Sequence, residues 1–199
     1  MWSLRSSAMD ADADAVARCR AGEEAAFEEL VRRHEGEVYR IAMRMLGHRE
    51  DALDAVQDTF LRVHRGLPRF RGEATFRTWV YGIALNVCRN RLTSRERRDR
   101  RRTTSLSRVG SDEDPLELPL PDGAPGPDRV AYGSELRAAL ERALADLSAG
   151  HREALVLREI EGLEYEEMAR VLSCRLGTVK SRLARARAAL AKALEGVWP

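Results

Sequence analysis

Tyr165-Glu-Glu-Met-Ala-Arg-Val-Leu172, Ser173-Cys-Arg175 and Leu176-Gly-Thr-Val-Lys-Ser-Arg-Leu183 follow one another near the C-terminus, and the fold turns on how they are read. They read as two short amphipathic helices joined by a tight turn, the dimensions of a helix-turn-helix. Met168, Ala169 and Leu172 are spaced to pack against Val179 and Leu183, and Ala169 is small where two helices must approach closely. Beyond the turn, Val179, Leu183, Ala186 and Leu190 keep to one face, while Lys180, Arg182, Arg185 and Arg187 take the others. A helix fits the major groove of a duplex. Side chains near its N-terminus reach base edges, and arginines along it reach phosphate or guanine. Arg175, Thr178, Lys180, Ser181, Arg182 and Arg185 are therefore candidate DNA-contacting residues. The plain alternative is a solvated basic helix face.

Outward from this unit the chain still reads as helix. Leu136 to Leu147 and Gly150 to Ile160 precede it, and Gly177 to Leu194 completes it. In the first half, Phe27, Leu30, Val31, Val38, Ile41, Met45 and Leu46 recur at near-helical spacing, with Gly47 suited to a C-cap. Leu53, Val56, Phe60, Val63 and Leu67 form a second stripe, which Pro68 stops. Phe76, Val80, Ile83, Val87 and Leu92 form a third. Between the halves, Pro115, Pro119, Pro121 and the Asp122–Asp128 segment DGAPGPD cannot continue a helix. The expected fold class is all-α: two small helical domains joined by a flexible linker, the C-terminal one containing the helix-turn-helix. The expected boundaries are a tail at 1–18, open to disorder, a domain at 19–97, a linker at 98–130 and a domain at 131–197.

A formal net charge of +2 says nothing by itself about nucleic acid, but its distribution does. Thr93 to Arg108 holds seven arginines against two acids, and Val109 to Glu135 holds seven acids against one arginine. Cys174 to Lys192 holds six basic residues and no acid. Cys19, Cys88 and Cys174 lie far apart, with no CxxC pair and no metal-ligand spacing, so reduced thiols in a cytoplasmic protein are expected. No apolar run of about 18 residues is present, so no membrane insertion is expected. The first residues carry no secretory pattern, and Met9 is a second candidate start.

Two segments of the first half stand out. Asp51, Asp54 and Asp58 share a helix face, with Gln57 beside them. No histidine joins them at ligand spacing, so a solvated acidic face is the simple reading. Phe70-Arg-Gly-Glu-Ala-Thr-Phe-Arg-Thr-Trp-Val-Tyr-Gly-Ile-Ala-Leu-Asn86 interleaves aromatics with arginines, and Arg89 follows. Aromatic faces stack on unpaired bases while arginines hold the backbone. Phe76 and Trp79 read equally as core residues.

The stretch from Leu147 to Leu190 resembles the fourth domain of sigma-70 family proteins. Gly177-Thr-Val-Lys-Ser-Arg-Leu183 with Ala-Arg-Ala-Arg187 carries that resemblance, as does Arg152-Glu-Ala-Leu-Val-Leu-Arg158 with Glu161-Gly-Leu163. The segment from Asp51 to Asn90 resembles the second domain, above all that of the compact extracytoplasmic-function (ECF) group. The resemblance implies a transcription initiation subunit with no catalytic residue, cofactor or metal. Its partners would be core RNA polymerase (β′ clamp helices and β flap), promoter DNA and an anti-sigma protein. It implies polymerase contacts at Asp51, Asp54, Gln57, Asp58 and Leu61. It implies a base-cradling loop at Arg71, Gly72, Glu73 and Ala74, and a −10 strand face at Arg77, Thr78, Trp79, Tyr81, Asn86, Arg89 and Asn90. The helix from Gly177 would read the −35 element, and the linker would thread through polymerase near the RNA path. Two residues depart from the family pattern: Ser173 stands where a turn glycine is usual, and Glu164 where Ser or Thr caps the first helix. Two other classes stay open on the residues alone. An operator-binding regulator would leave Phe70–Asn90 idle. A metal-dependent nucleic-acid enzyme would use the acidic cluster.

Overall fold

The computed structural model describes residues 2–103 and 139–195, and all regular structure among them is helical. The first helix, α1 (Trp2–Arg20), covers the stretch expected as a tail. Ala15 and Val16 are buried against the helices that follow, as is Asp12, so apolar contact and a buried carboxylate hold this segment. The long helix α2 (Glu24–Leu46) buries Ala26, Leu30, His34, Val38, Ile41, Ala42, Met45 and Leu46 at steps of three and four. Gly47 ends it at φ +76, its N–H donating to the Met43 carbonyl, as expected of a C-cap.

Helix α3 (Arg49–Gly66) departs from the expected stripe by one position. Its buried face is Ala52, Ala55, Thr59, Phe60 and Val63, whereas Leu53 is 49% exposed. The alanines let α3 lie close to its neighbours. The Thr59 hydroxyl is satisfied inside by the Ala55 carbonyl at 2.6 Å. A 3-10 turn at Leu67–Arg69 accepts Pro68 near its start, where no N–H is needed.

Helix α4 (Phe76–Thr103) runs past residue 97, the expected domain end, because no Pro or Gly interrupts Ile83–Thr103. The rest of the expected linker, 104–130, lies outside the described residues. The C-terminal half begins with α5 (described over 139–146) and α6 (Ala149–Leu155). The sequence suggests one helix from Gly150 to Ile160. Instead, α6 widens into a π turn at Val156–Ile160. Helices α7 (Tyr165–Val171) and α8 (Leu176–Ala193) complete the fold.

Two apolar clusters organise these elements. One joins α1, α2, α3 and α4 through Val16, Leu30, Val38, Phe60, Val63, Phe76 and Val80. The other does not stop at the expected domain boundary. It runs from Ile41, Met45, Tyr81, Leu85 and Cys88 into Leu155, Leu157, Leu163, Met168, Val171, Val179 and Leu183. The two helical halves expected from the sequence share this core. Cys19, Cys88 and Cys174 are free thiols, and burial pushes Cys88 up to about 12.

Candidate nucleic-acid interface

Helix α7 starts without Ser or Thr, but the Glu167 carboxylate accepts the Glu164 N–H at 2.9 Å, supplying half of a capping box. Its C-terminal turn needs one residue in the left-handed region, and Ser173 takes it at φ +50. That turn sets α8 against α7, with Val179, Leu183 and Ala186 buried between them and α6. The outward faces of α8 then follow from its period. Arg175, Thr178, Lys180, Ser181 and Arg185 are exposed. Arg182 is half-buried, and a Cβ at Gly150 would meet its Cδ, Nε and Cζ at 3.9 Å. Among the described residues no carboxylate pairs with Arg175, Lys180, Arg182 or Arg185, whereas Arg187 is tied to Glu159 at 2.6 Å. The predicted residues of this helix therefore form one basic ridge.

The other predicted face is divided. Arg71, Gly72 and Glu73 are exposed in the loop before α4, and Ala74 is half-buried. The Thr75 hydroxyl accepts the Thr78 N–H at 3.1 Å, capping α4. It also meets the Thr78 hydroxyl at 2.8 Å, which turns Thr78 inward. The sequence reading passed over Thr75, although Thr followed by an apolar period is the ordinary start signal of a helix. Trp79 packs with Phe70 at 4.8 Å and Phe76 at 5.9 Å between centroids, a core bracket that fixes the loop. Its ring also lies over Gly66, where a Cβ would stand 3.0 Å away. Asn86 and Asn90 are exposed.

Arg77, Tyr81 and Arg89 meet the C-terminal half. The Tyr81 side chain is fully buried and its hydroxyl donates to the Glu161 carboxylate at 2.9 Å. Burial raises its phenol well above the ordinary value. Arg77 donates to the Tyr81 oxygen at 2.8 Å, to Glu37 at 3.2 Å and to the Glu161 carbonyl at 3.3 Å. Arg89 grips Glu153 with two bonds, 2.6 and 3.0 Å.

The acidic face of α3 is also partnered. Asp58 binds Arg91 at 2.6 Å, with Asp54 at 3.5 Å from the same guanidinium, and Asp51 reaches Arg95 at 3.8 Å. Beside this ladder lies an open apolar groove of about 530 Å³. Phe27 and Val31 of α2 line it with Leu53, Val56, Phe60 and Leu61 of α3, and Gln57 and His64 stand at its edge. Leu53 and Leu61 are about half exposed. The sequence reading named Gln57 and Leu61 here and missed Leu53, Phe27 and Val31. The repeat of Leu53, Gln57 and Leu61 at steps of four marks this outer stripe.

Comparison with known proteins decides the family. Sigma-70 region 2 matches residues 30–98, and sigma-70 region 4 matches residues 137–190. The RNA polymerase sigma-H factor of Pseudomonas aeruginosa is 34% identical over 186 residues, 92% of this chain and 94% of that protein. The chain belongs to the sigma-70 family, in its ECF group. The ECF RNA polymerase sigma-E factor of Escherichia coli is likewise 34% identical, over 88% of the present sigma factor and 90% of its relative. Among solved structures, CnrH in complex with the cytosolic domain of CnrY superposes with TM-score 0.62 at 28% identity, covering 93% of this sigma factor and 97% of CnrH. The sigma factor RpoE bound to the anti-sigma factor NepR from Bartonella quintana shares the fold, with TM-score 0.65 at 24% identity over 85% of this chain.

Proposed function

We propose that this sigma factor directs core RNA polymerase to promoters by reading two DNA elements in different states. Helix α8 reads the −35 element as duplex, with Arg175, Thr178, Lys180, Ser181, Arg182 and Arg185 on bases and phosphates. The loop 71–74 and the face of α4 from Arg77 to Asn90 open and hold the −10 element as a single strand. Base capture costs a few kcal/mol of unstacking, which a preformed pocket offsets. The Phe70, Phe76 and Trp79 bracket supports such a pocket by fixing the loop from beneath. Trp79 acts there as a support and not as a stacking platform.

Core polymerase docks on the outer face of α3. The apolar stripe of Leu53, Gln57 and Leu61 supplies the buried area, and Asp51, Asp54 and Asp58 supply charge at its rim. The β flap takes the C-terminal half. Residues 98–130 would run between the two DNA sites along polymerase; from 104 onward they lie outside the described residues. The protein works in the cytoplasm and catalyses no reaction itself. An anti-sigma protein restrains it by covering the polymerase-binding face. The two similar solved structures are both complexes with partners, one of them the anti-sigma factor NepR, which supports that reading.

The observation that carries the proposal is the basic ridge of α8, where no carboxylate among the described residues pairs with Arg175, Lys180, Arg182 or Arg185, in a chain whose other half matches sigma-70 region 2. Run-off transcription with purified bacterial core polymerase on a promoter library tests it. Transcripts that depend on the added protein and share −35 and −10 sequences are expected. Tight duplex binding by the protein alone, with no transcript, would make it an operator-binding regulator.

A further inference from the structure

Arg18 and Arg20 lie close together on α1 but differ in their partners. Arg18 is tied to Asp14, Glu23 and Glu29 at 2.9, 2.9 and 2.6 Å. Among the described residues no carboxylate pairs with Arg20, Arg69 or Arg71, and all three are exposed. They surround one open hollow of about 630 Å³, with Pro68 and Phe70 in its wall. Two local features bring them there. The Arg20 Nε donates to the Leu67 carbonyl at 3.5 Å, which ties the end of α1 to the 3-10 turn and leaves the terminal nitrogens for a ligand. Phe70 is extended, at φ −66 and ψ 116, so the side chains before and after it leave the opposite side of the backbone. Its ring packs on Phe76 and Trp79, at 6.0 and 4.8 Å between centroids, and Arg69 and Arg71 face outward together. The dipole of α1 would favour a cation at its C-terminal end wherever the side chain pointed. It does not account for two further arginines, from another element, around the same hollow.

We propose that Arg20, Arg69 and Arg71 form a binding site for a backbone phosphate of the single strand, which makes α1 the outer wall of the −10 site. This rests on the assignment of the loop 71–74 to strand capture. Guanidiniums without a counter-charge repel one another, and an anion among them relieves that repulsion. Each can meet phosphate oxygens with two parallel bonds. The shape of the hollow selects who presents the phosphate. A small free ligand is usually held in a largely apolar cleft that buries most of its surface. This hollow is open and its rim is cationic, which suits a phosphate carried past on a longer chain. Arg71 belongs to the loop itself, so the linkage beside the captured base crosses the hollow as the strand leaves the loop. Phosphate contacts fix register and carry no sequence information. The site therefore holds the strand against the loop, while base choice stays with the loop and α4. It also gives α1 a role: the buried Asp12, Ala15 and Val16 fix the helix, and the helix presents Arg20.

The test uses holoenzyme reconstituted with Arg20→Gln or Arg69→Gln, and a fluorescent non-template oligonucleotide carrying the −10 sequence that run-off transcription selects. A native gel confirms that each variant still binds core polymerase. By fluorescence anisotropy, each should weaken strand binding about fivefold. Each should also flatten the slope of log affinity against log salt by about 0.7, the share of one phosphate on a single strand. Arg20→Lys keeps the charge and should keep most of the slope. Arg49→Gln, at the other end of α3, makes the same charge change on an exposed residue and should alter neither readout. Single neutral methylphosphonate linkages are then walked along the oligonucleotide. One position should weaken binding by the unaltered holoenzyme and cost the Arg20→Gln holoenzyme nothing more. Unchanged affinity and slope in both variants overturn the proposal. So does equal weakening by Arg49→Gln, or a methylphosphonate effect that adds fully to Arg20→Gln at every position. Inorganic triphosphate tests the other source of phosphate by calorimetry. If it binds the unaltered protein and not Arg20→Gln, while strand binding ignores the substitution, the site serves a free polyphosphate and the strand assignment is overturned. An oligonucleotide that the unaltered holoenzyme does not bind removes the −10 reading and this proposal with it, whereas binding that ignores Arg20 and Arg69 removes only the site.

Discussion

His34 is buried between two carboxylates, with Asp12 of α1 at 2.9 Å from Nε2 and Glu37 at 3.2 Å from Nδ1. Burial alone would strip the imidazole of its proton, but the hydrogen bonds to Asp12 and Glu37 reverse this and raise His34 to about 9. Burial also opposes charge on Glu37, and its bond to His34 and the nearby Arg77 overcome that, bringing it to about 2. The signs set the pH window. The raised histidine stabilises the fold fully below about 6.5 and loses that contribution as pH climbs through about 9. The depressed Glu37 contributes above about 4.5 and is lost as pH falls through about 2. The trio therefore supports the fold best between about pH 5 and 6.5. It also holds α1 down, since Arg33 binds Asp12 at 3.2 Å beside it. His34→Gln should cost on the order of 2 kcal/mol at pH 6 and much less at pH 9.5, measured by urea unfolding at both. Equal losses at the two pH values would mean that the imidazole acts by shape alone.

At the scale of elements, the turn between α7 and α8 carries a cost that a single atom explains. Ser173 at φ +50 keeps its Cβ against the backbone, where glycine would have none. Ser173→Gly should stabilise the protein by about 0.5–1 kcal/mol and raise its melting temperature by a few degrees. An unchanged or lower melting temperature would place the strain elsewhere. Helix α3 offers a contrasting test, because its outer stripe carries little of the fold. Leu61 is 50% exposed, so Leu61→Asp should leave stability within about 0.5 kcal/mol while greatly weakening binding to core polymerase. Retained binding in a native gel-shift would move the docking face off α3. The helices themselves were legible in the sequence because each carries a period near 3.6, and the C-cap at Gly47 and the stop near Pro68 are local signals. Which face of α3 points inward was not, because alanines at 52 and 55 bury as well as leucines when helices pack closely. The basic ridge of α8 was legible for the opposite reason: most of its charges are exposed, and among the described residues they pair with no distant carboxylate. The partners of Thr78, Tyr81, Arg77 and Arg89 lie on residues far along the chain or within a cap. No periodicity reports those.

Across the whole molecule, the question is whether two domains or one body unfolds. Glu153 and Glu161 read in the sequence as ordinary charges of a family motif, and nothing local marks them as facing the other half. Arg152 shows how far the coupling goes. Its guanidinium is buried, burial holds its pKa down, and it donates to the Met45 carbonyl at the end of α2. It also donates to the Ala145 carbonyl at 2.6 Å and the Leu147 carbonyl at 3.2 Å, beyond the end of α5. Those carbonyls lie at helix ends, where no intrahelical N–H remains to serve them. One side chain thus caps a helix in each half and bridges the seam of the shared core. With Leu155, Leu157 and Leu163 packed against Ile41, Met45 and Leu85, the free protein should melt as one cooperative unit. Arg152→Ala leaves buried carbonyls unsatisfied, at about 1–3 kcal/mol each. It should therefore lower stability by several kcal/mol and split a single calorimetric transition into two, the smaller C-terminal half melting first. Arg152→Lys should restore the single transition only in part, because one ammonium lacks the planar fork that reaches carbonyls on two elements. Differential scanning calorimetry of the unaltered chain is the deciding control. Two separate transitions there would mean that the halves fold independently and that the apolar seam adds little. One transition that survives Arg152→Ala would leave the coupling to the leucines, and Leu163→Ala would then be the variant that divides it.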